Sequence, residues 1–133
     1  MRFLFHRYIK QAKIDDNKIE FVGYTDKVKD YYALADMTIL PSFEEGTPNV
    51  LLESYLYKIL PLCSNIKMNM YCVNEKDMTF SPYDSKELSD KINKYAKLLE
   101  SDKVKEILKN NYQFVMDNYS MEKMKEKYIE IFK

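Results

Sequence analysis

The 133-residue chain is 46% hydrophobic and 32% charged, and its 21 basic residues balance 21 acidic ones. Such a composition fits one globular domain around one core, and a formal charge of zero argues against broad attraction to nucleic acid or anionic membrane while leaving room for a local patch. No apolar run approaches the roughly 20 residues of a spanning helix, and no small-residue cleavage site follows the first basic and apolar residues, so a cytoplasmic protein is expected.

In chain order, residues 1–14 place Phe3, Leu4, Tyr8, Ile9 and Ala12 at mostly helical spacing, although "RFLF" alone has strand character. His6, the single histidine, lies here. It cannot complete a zinc set with Cys63 and Cys72, and it is a poor base for a Ser-His-Asp or Cys-His centre, so both cysteines are expected to be buried thiols. "KIEFVGY", residues 18–24, is a β-favouring run that stops at Gly23. Thr25 then caps a helix through Ala35, with Val28, Tyr31, Tyr32 and Ala35 on one face. "MTILPS" predicts a buried strand broken by Pro41. A helix over residues 48–57 and a strand over 60–64 follow. Residues 66–83 show little pattern beyond a short strand near Met78 and Phe80.

The last third is helical. Asp84 and Glu87 have capping-box spacing ahead of Leu88, Ile92, Tyr95, Ala96 and Leu99. Ser101 starts a second helix with Val104, Ile107, Leu108, Tyr112 and Val115 on one side. Ser120 starts a third presenting Met121, Met124, Tyr128 and Ile131. The lysines and glutamates between these positions form the wet face. Strand and helix alternating at this spacing predict an α/β fold: a partial Rossmann-like parallel sheet with flanking helices and a helical C-terminal third. The whole of 1–133 reads as one partial domain, with a helix or strand–helix at 1–17, the sheet-forming part at 18–83 and the helices at 84–133.

The junction "PSFEEGTPNVLLESYLYKILPLCS", residues 41–64, carries the chemistry. Proline suits the first helical position, so Pro48 is expected there with Thr47 as its cap. The amides of Asn49 and Val50 then point out of a positively polarised helix end that binds phosphate well. Gly46 is expected to allow a sharp turn and close approach by a ligand. In an open parallel sheet this loop sits at the carboxyl end of a strand, where such folds bind ligands. Glu45 and Glu53 flank the corner, and a carboxylate accepts two hydrogen bonds from a sugar diol. The same letters also fit an ordinary Gly-Thr-Pro turn with two solvated acids near a helix start.

The run "FVGYTDKVKDYYALADMTILPSFEEGTPNVLLES" resembles the donor-binding domain of GT-B glycosyltransferases, especially the group 1 (family four) enzymes. Their pattern is a strand ending in Phe-x-Gly, a helix ending in Ala-Asp, a strand ending in Pro-Ser, then Glu-Gly-x-Pro and a second glutamate. The match is close over residues 18–64 and loose over 65–131. The resemblance implies transfer of a sugar from a nucleotide sugar to a glycan or lipid-linked acceptor, with retention, no cofactor and no bound metal. It places the enzyme in bacterial polysaccharide biosynthesis, in the cytoplasm or at the inner face of the membrane. By position, Glu45 would act at the donor hexose or reacting centre. Gly46, Thr47, Asn49 and Val50 would contact hexose and phosphates through backbone groups, and Glu53 would hold the ribose. Gly23 and Tyr24, with Phe21, would lie near the base.

The sequence departs from the family after Glu53. Lys58 replaces a glycine that favours a left-handed helix end, and "NIKMNMY" replaces a Gly-Gly segment. Neither an acceptor domain nor the first strands of a donor domain, with their basic pair, fits before residue 18. The resemblance therefore implies the later part of a donor domain, weak or inactive by itself. A non-catalytic reading stands beside it: exposed strand edges and apolar helix faces would draw a partner chain or a second copy.

Overall fold

The computed structural model describes residues 18–132, and the element expected at 1–17 lies outside them. Strands β1 (Met37–Leu40), β2 (Leu60–Ser64) and β3 (Thr79–Phe80) form a parallel sheet in the order β1-β2-β3, with Met37 opposite Leu60 and Cys63 opposite Thr79. β2 is buried along its whole length, which suits its unbroken apolar run. Pro61 is tolerated there because β3 pairs only with Cys63 and Ser64. β1 departs from the expected buried strand. It is the outer strand among the described residues, and its Ile39 is 41% exposed.

Around the sheet lie α1 (Val28–Leu34), α2 (Asn49–Leu56), α3 (Lys67–Cys72), a 3₁₀ turn (Lys76–Met78), α4 (Ser85–Ala96), α5 (Asp102–Tyr119) and α6 (Met121–Ile131). No described helix is long and apolar enough to cross a membrane. Side chains alternate across β2, so Leu60 and Leu62 join Met78, Phe80, Tyr95, Val104 and Ile107 in one apolar cluster. Cys63 joins Leu51, Tyr55, Cys72 and Val115 in another. α5 is long enough, at about 27 Å, to contribute to both. The two cysteines are free and buried, as expected, and burial pushes the Cys63 thiol up to about 12.

Three expectations need correction at the ends of elements. Residues 18–24 form no strand: Gly23 takes a φ of +75°, and among the described residues no strand lies beside them to give a ladder. Thr25 does not cap α1 directly. Its Oγ1 accepts from the Lys27 amide at 3.0 Å, making a turn, and the helix starts at Val28. α3 appears where little pattern was legible.

The C-terminal helices start where their caps predict. Asp84 accepts from the Glu87 amide at 2.9 Å, and Ser101 and Ser120 accept from Val104 and Lys123. Only half of the expected capping box forms, because the Glu87 carboxylate accepts instead from the Ser81 amide at 2.8 Å. The turn before β3 is pinned to α4 through Asp77. Its Oδ2 accepts from Lys94 Nζ at 2.6 Å and Tyr95 Oη at 2.5 Å, while Lys91 Nζ donates to its carbonyl at 2.9 Å. The bonds from Lys94 and then Tyr95 hold this carboxyl well below the usual range.

Candidate functional site

The loop from β1 to α2 begins at Pro41, which ends the strand, and closes at Pro48. α2 starts one residue later than expected. Pro48, at φ −77° and ψ 69°, is its cap residue, and no side chain caps the helix, so Thr47 does not have that role. The physical reason is an inverse γ-turn centred on Pro48, in which the Asn49 amide donates to the Thr47 carbonyl at 2.8 Å. Pro48's own carbonyl takes up the Leu51 and Leu52 amides. One of the two amides expected to face a ligand is thus used internally. The Val50 amide has no protein acceptor among the described residues, and it stands at the positive end of the α2 dipole.

Gly46 does not need to be glycine for the turn, since its φ lies outside the left-handed region. A Cβ added there would meet nothing within 4 Å. Its bareness therefore matters only to something approaching from outside.

Both acids are held by hydroxyl donors. Ser42 Oγ donates to Glu45 Oε1 at 2.5 Å, which keeps the Glu45 side chain against its own loop. That loop is tied down in turn. Ser64 Oγ donates to the Ser42 carbonyl at 2.5 Å, and the buried Asn69 donates to the Ser64 carbonyl and Oγ at 2.9 and 3.0 Å. The carboxyl ends of β1 and β2 and the helix α3 are thereby joined under Glu45. On the other side, Tyr32 Oη donates to Glu53 Oε2 at 2.8 Å. The Tyr32 ring stacks on Tyr57 with centroids 4.9 Å apart, and Tyr57 stands one helical turn beyond Glu53. Burial, and secondarily the Glu53 bond, raises the Tyr32 hydroxyl above its ordinary value, so it stays a donor. Ser54, next to Glu53, bonds Val50's carbonyl and Thr38 Oγ1, each at 2.6 Å, and locks α2 onto β1.

The other expected contacts are more loosely placed. Asn49 and Val50 stand exposed in the first turn of α2, on the side of the helix that bears Glu53. Gly23 and Tyr24 are exposed in the segment before α1, Tyr24 completely so. Among the described residues neither makes a hydrogen bond or ring contact with the loop. Lys58 adopts the conformation that its glycine counterpart would, at φ +55°. The Ile59 amide reaches the Ser54 carbonyl and the Lys58 amide the Tyr55 carbonyl, a Schellman end, while Lys58 Nζ lies 4.8 Å from the centre of the Tyr112 ring.

Sequence reasoning missed Tyr32, Ser42, Ser64 and Asn69. Ser42 offered a local signal, a hydroxyl three residues before an acid. Tyr32 was placed on an apolar face, and its bond spans 21 residues, which no local pattern reveals. Asn69 lay in the segment without pattern.

The family model described as "Glycosyl transferases group 1" matches residues 4–113. Among solved structures, a glycosyltransferase from Rickettsia africae ESF-5 is similar at 27% identity with a TM-score of 0.83, over 93% of this chain and 33% of that one. The C-terminal domain of a glycosyl transferase group 1 family protein from Francisella tularensis superposes at a TM-score of 0.70, over 90% of this chain and 63% of that one. Its 20% identity shows the fold alone. The chain thus spans about a third and under two thirds of these relatives. Comparison with curated proteins gives no match. The sheet, its crossovers and the helical end are those of a GT-B donor-type domain, and by the match over most of its length the chain belongs to the group 1 glycosyl transferases.

Proposed function

We propose that the corner between β1 and α2 binds the donor in a retaining sugar transfer from a nucleotide sugar to a glycan or lipid-linked acceptor, as in bacterial polysaccharide biosynthesis. The diphosphate sits at the α2 start, facing the Val50 amide and the helix dipole. Glu53 takes the ribose diol with the carboxylate oxygen that Tyr32 leaves free, and Glu45 takes hydroxyls of the hexose or lies at the reacting centre. Gly46 and Thr47 line the hexose side through their backbone, and Gly23 and Tyr24 stand toward the base. The leaving diphosphate is stabilised by fixed dipoles at that helix end, and no metal or cofactor is needed.

One observation carries this reading. Two acids, Glu45 in the loop before α2 and Glu53 in the second turn of that helix, are each held in place by a hydroxyl donor, which solvated surface acids do not require. The test is thermal unfolding with UDP- and GDP-sugars. Stabilisation by one of them that Glu53→Ala abolishes is expected. No stabilisation at millimolar ligand contradicts the reading. Turnover by this chain alone is expected to be weak or absent, because the acceptor platform and diphosphate-binding cations belong to the remainder of the family's enzymes.

A second reading, a non-catalytic subunit that binds a partner chain, has its own support. The outer side of β1 faces a cleft of about 250 Å³ walled by Tyr31, Ile39 and Val50, an apolar edge suited to another chain. A clean monomer in size-exclusion chromatography together with nucleotide binding disfavours it.

A further inference from the structure

Asn69 lies on the inner face of α3 and is fully buried. Helical side chains point back toward the N-terminus, which carries its amide to the end of β2. There Nδ2 donates to the Ser64 carbonyl at 2.9 Å and to Ser64 Oγ at 3.0 Å. A carbonyl only accepts, so the orientation of the amide is forced. Ser64 Oγ, accepting from Asn69, places its own proton on the Ser42 carbonyl at 2.5 Å. Ser42 Oγ in turn donates to Glu45 Oε1 at 2.5 Å. Every proton thus points from α3, past the ends of β2 and β1, toward the carboxylate. A second feature sets Asn69 apart from packing. Its Oδ1 is buried without a hydrogen-bond partner among the described residues. An orphaned buried acceptor is destabilising, and an apolar side chain would fill the space without that cost, so the donating half of the amide is what the site gains.

We propose, resting on the donor-site reading, that Asn69 is a positioning residue for Glu45. By fixing Ser64, and through it the Ser42 carbonyl, it holds the loop where the Ser42 hydroxyl meets Glu45 Oε1. Oε2 is left to accept from a hydroxyl of the hexose. Ser64 and Asn69 are buried and Ser42 and Glu45 half-buried, so the whole path lies within the described fold. Glu53 is held separately, by Tyr32 of α1. The sugar end and the nucleotide end of the donor are therefore fixed by sets of bonds without a shared partner, and disturbing one should spare the other.

The test is calorimetric binding of the full chain to UDP-glucose, UDP-N-acetylglucosamine and GDP-mannose, each set against its own nucleoside diphosphate. The readout is the ratio of sugar-nucleotide to nucleotide affinity. Asn69→Asp keeps the shape but turns a donor into an acceptor, so the carboxylate would take the Ser64 proton and release the Ser42 carbonyl. The ratio is expected to fall about tenfold or more, as for loss of a hydrogen bond to a charged group, with nucleotide affinity within about twofold of the parent chain. Ser64→Ala breaks the same bridge without adding a charge, and it decides the matter if the buried carboxylate unfolds the chain. Ser42→Ala should lower the ratio as far, and Ser42→Thr, which keeps the hydroxyl, should retain it. Equal losses for nucleotide and sugar nucleotide would make Asn69 a support of the fold only and overturn the positioning role. A ratio that Ser64→Ala leaves unchanged, with nucleotides still bound, would overturn that role alone. Absence of binding by nucleotides and sugar nucleotides alike would overturn the donor-site reading with it.

Discussion

Glu53 shows how one residue's setting separates structure from function. Its carboxylate anchors Tyr32, and removing the Tyr32 hydroxyl leaves the ring stacked on Tyr57 but takes one charged-acceptor bond away. Tyr32→Phe should cost about 1.5–3 kcal/mol in denaturant unfolding, the range for a bond to a charged group. It should also weaken nucleotide-sugar affinity, because Glu53 is then less fixed; calorimetry measures the second effect. Gly46 gives the cleaner separation. Gly46→Ala puts a methyl into empty space at an ordinary φ, so the melting temperature should hold while donor affinity falls about tenfold or more. An alanine variant that binds as well as the parent chain would remove Gly46 from the site. At Lys58 the left-handed conformation costs roughly 1 kcal/mol against glycine, offset by the Tyr112 contact. Lys58→Gly should therefore raise stability by less than about 1 kcal/mol, read from urea midpoints.

Among the elements, those that could be read in advance are the ones whose signals are local. α4, α5 and α6 begin where Asp84, Ser101 and Ser120 stand, since a cap and an apolar period act within a few residues. The strand at Leu60–Ser64 was legible from its apolar run. Residues 18–24 looked equally strand-like, yet a strand exists only beside a partner, and partners are set by topology. The loop before α2 was legible as a corner but not in its bonding, because the γ-turn at Pro48 and the Ser64–Asn69 support depend on how three elements meet. Asp77 gives a prediction at this scale. Its folded value is depressed, so it contributes stability that is complete above the unfolded aspartate range near pH 4 and fades as pH falls below that range. Half of its side chain faces solvent, which limits the contribution to about 1 kcal/mol. Asp77→Asn should be less stable than the parent chain at pH 7, with the gap closing toward pH 2 in urea titrations. A gap that stays constant with pH would refute the coupling of Asp77 to Lys94 and Tyr95.

At the scale of the whole molecule, two apolar clusters share the central strand β2, and the candidate site lies at the carboxyl end of β1, beside the second cluster, to which Leu51 and Tyr55 of α2 belong. The claim on which all this turns is that the polarised corner between Glu45 and Glu53 grips a sugar nucleotide. Amide chemical-shift mapping during a titration with UDP- and GDP-sugars tests it most directly. Saturable shifts for one of them, centred on Gly46, Thr47, Val50 and Glu53 and lost in Glu53→Ala, are the predicted result. Shifts spread elsewhere, or no saturable shifts with either donor, would contradict the account.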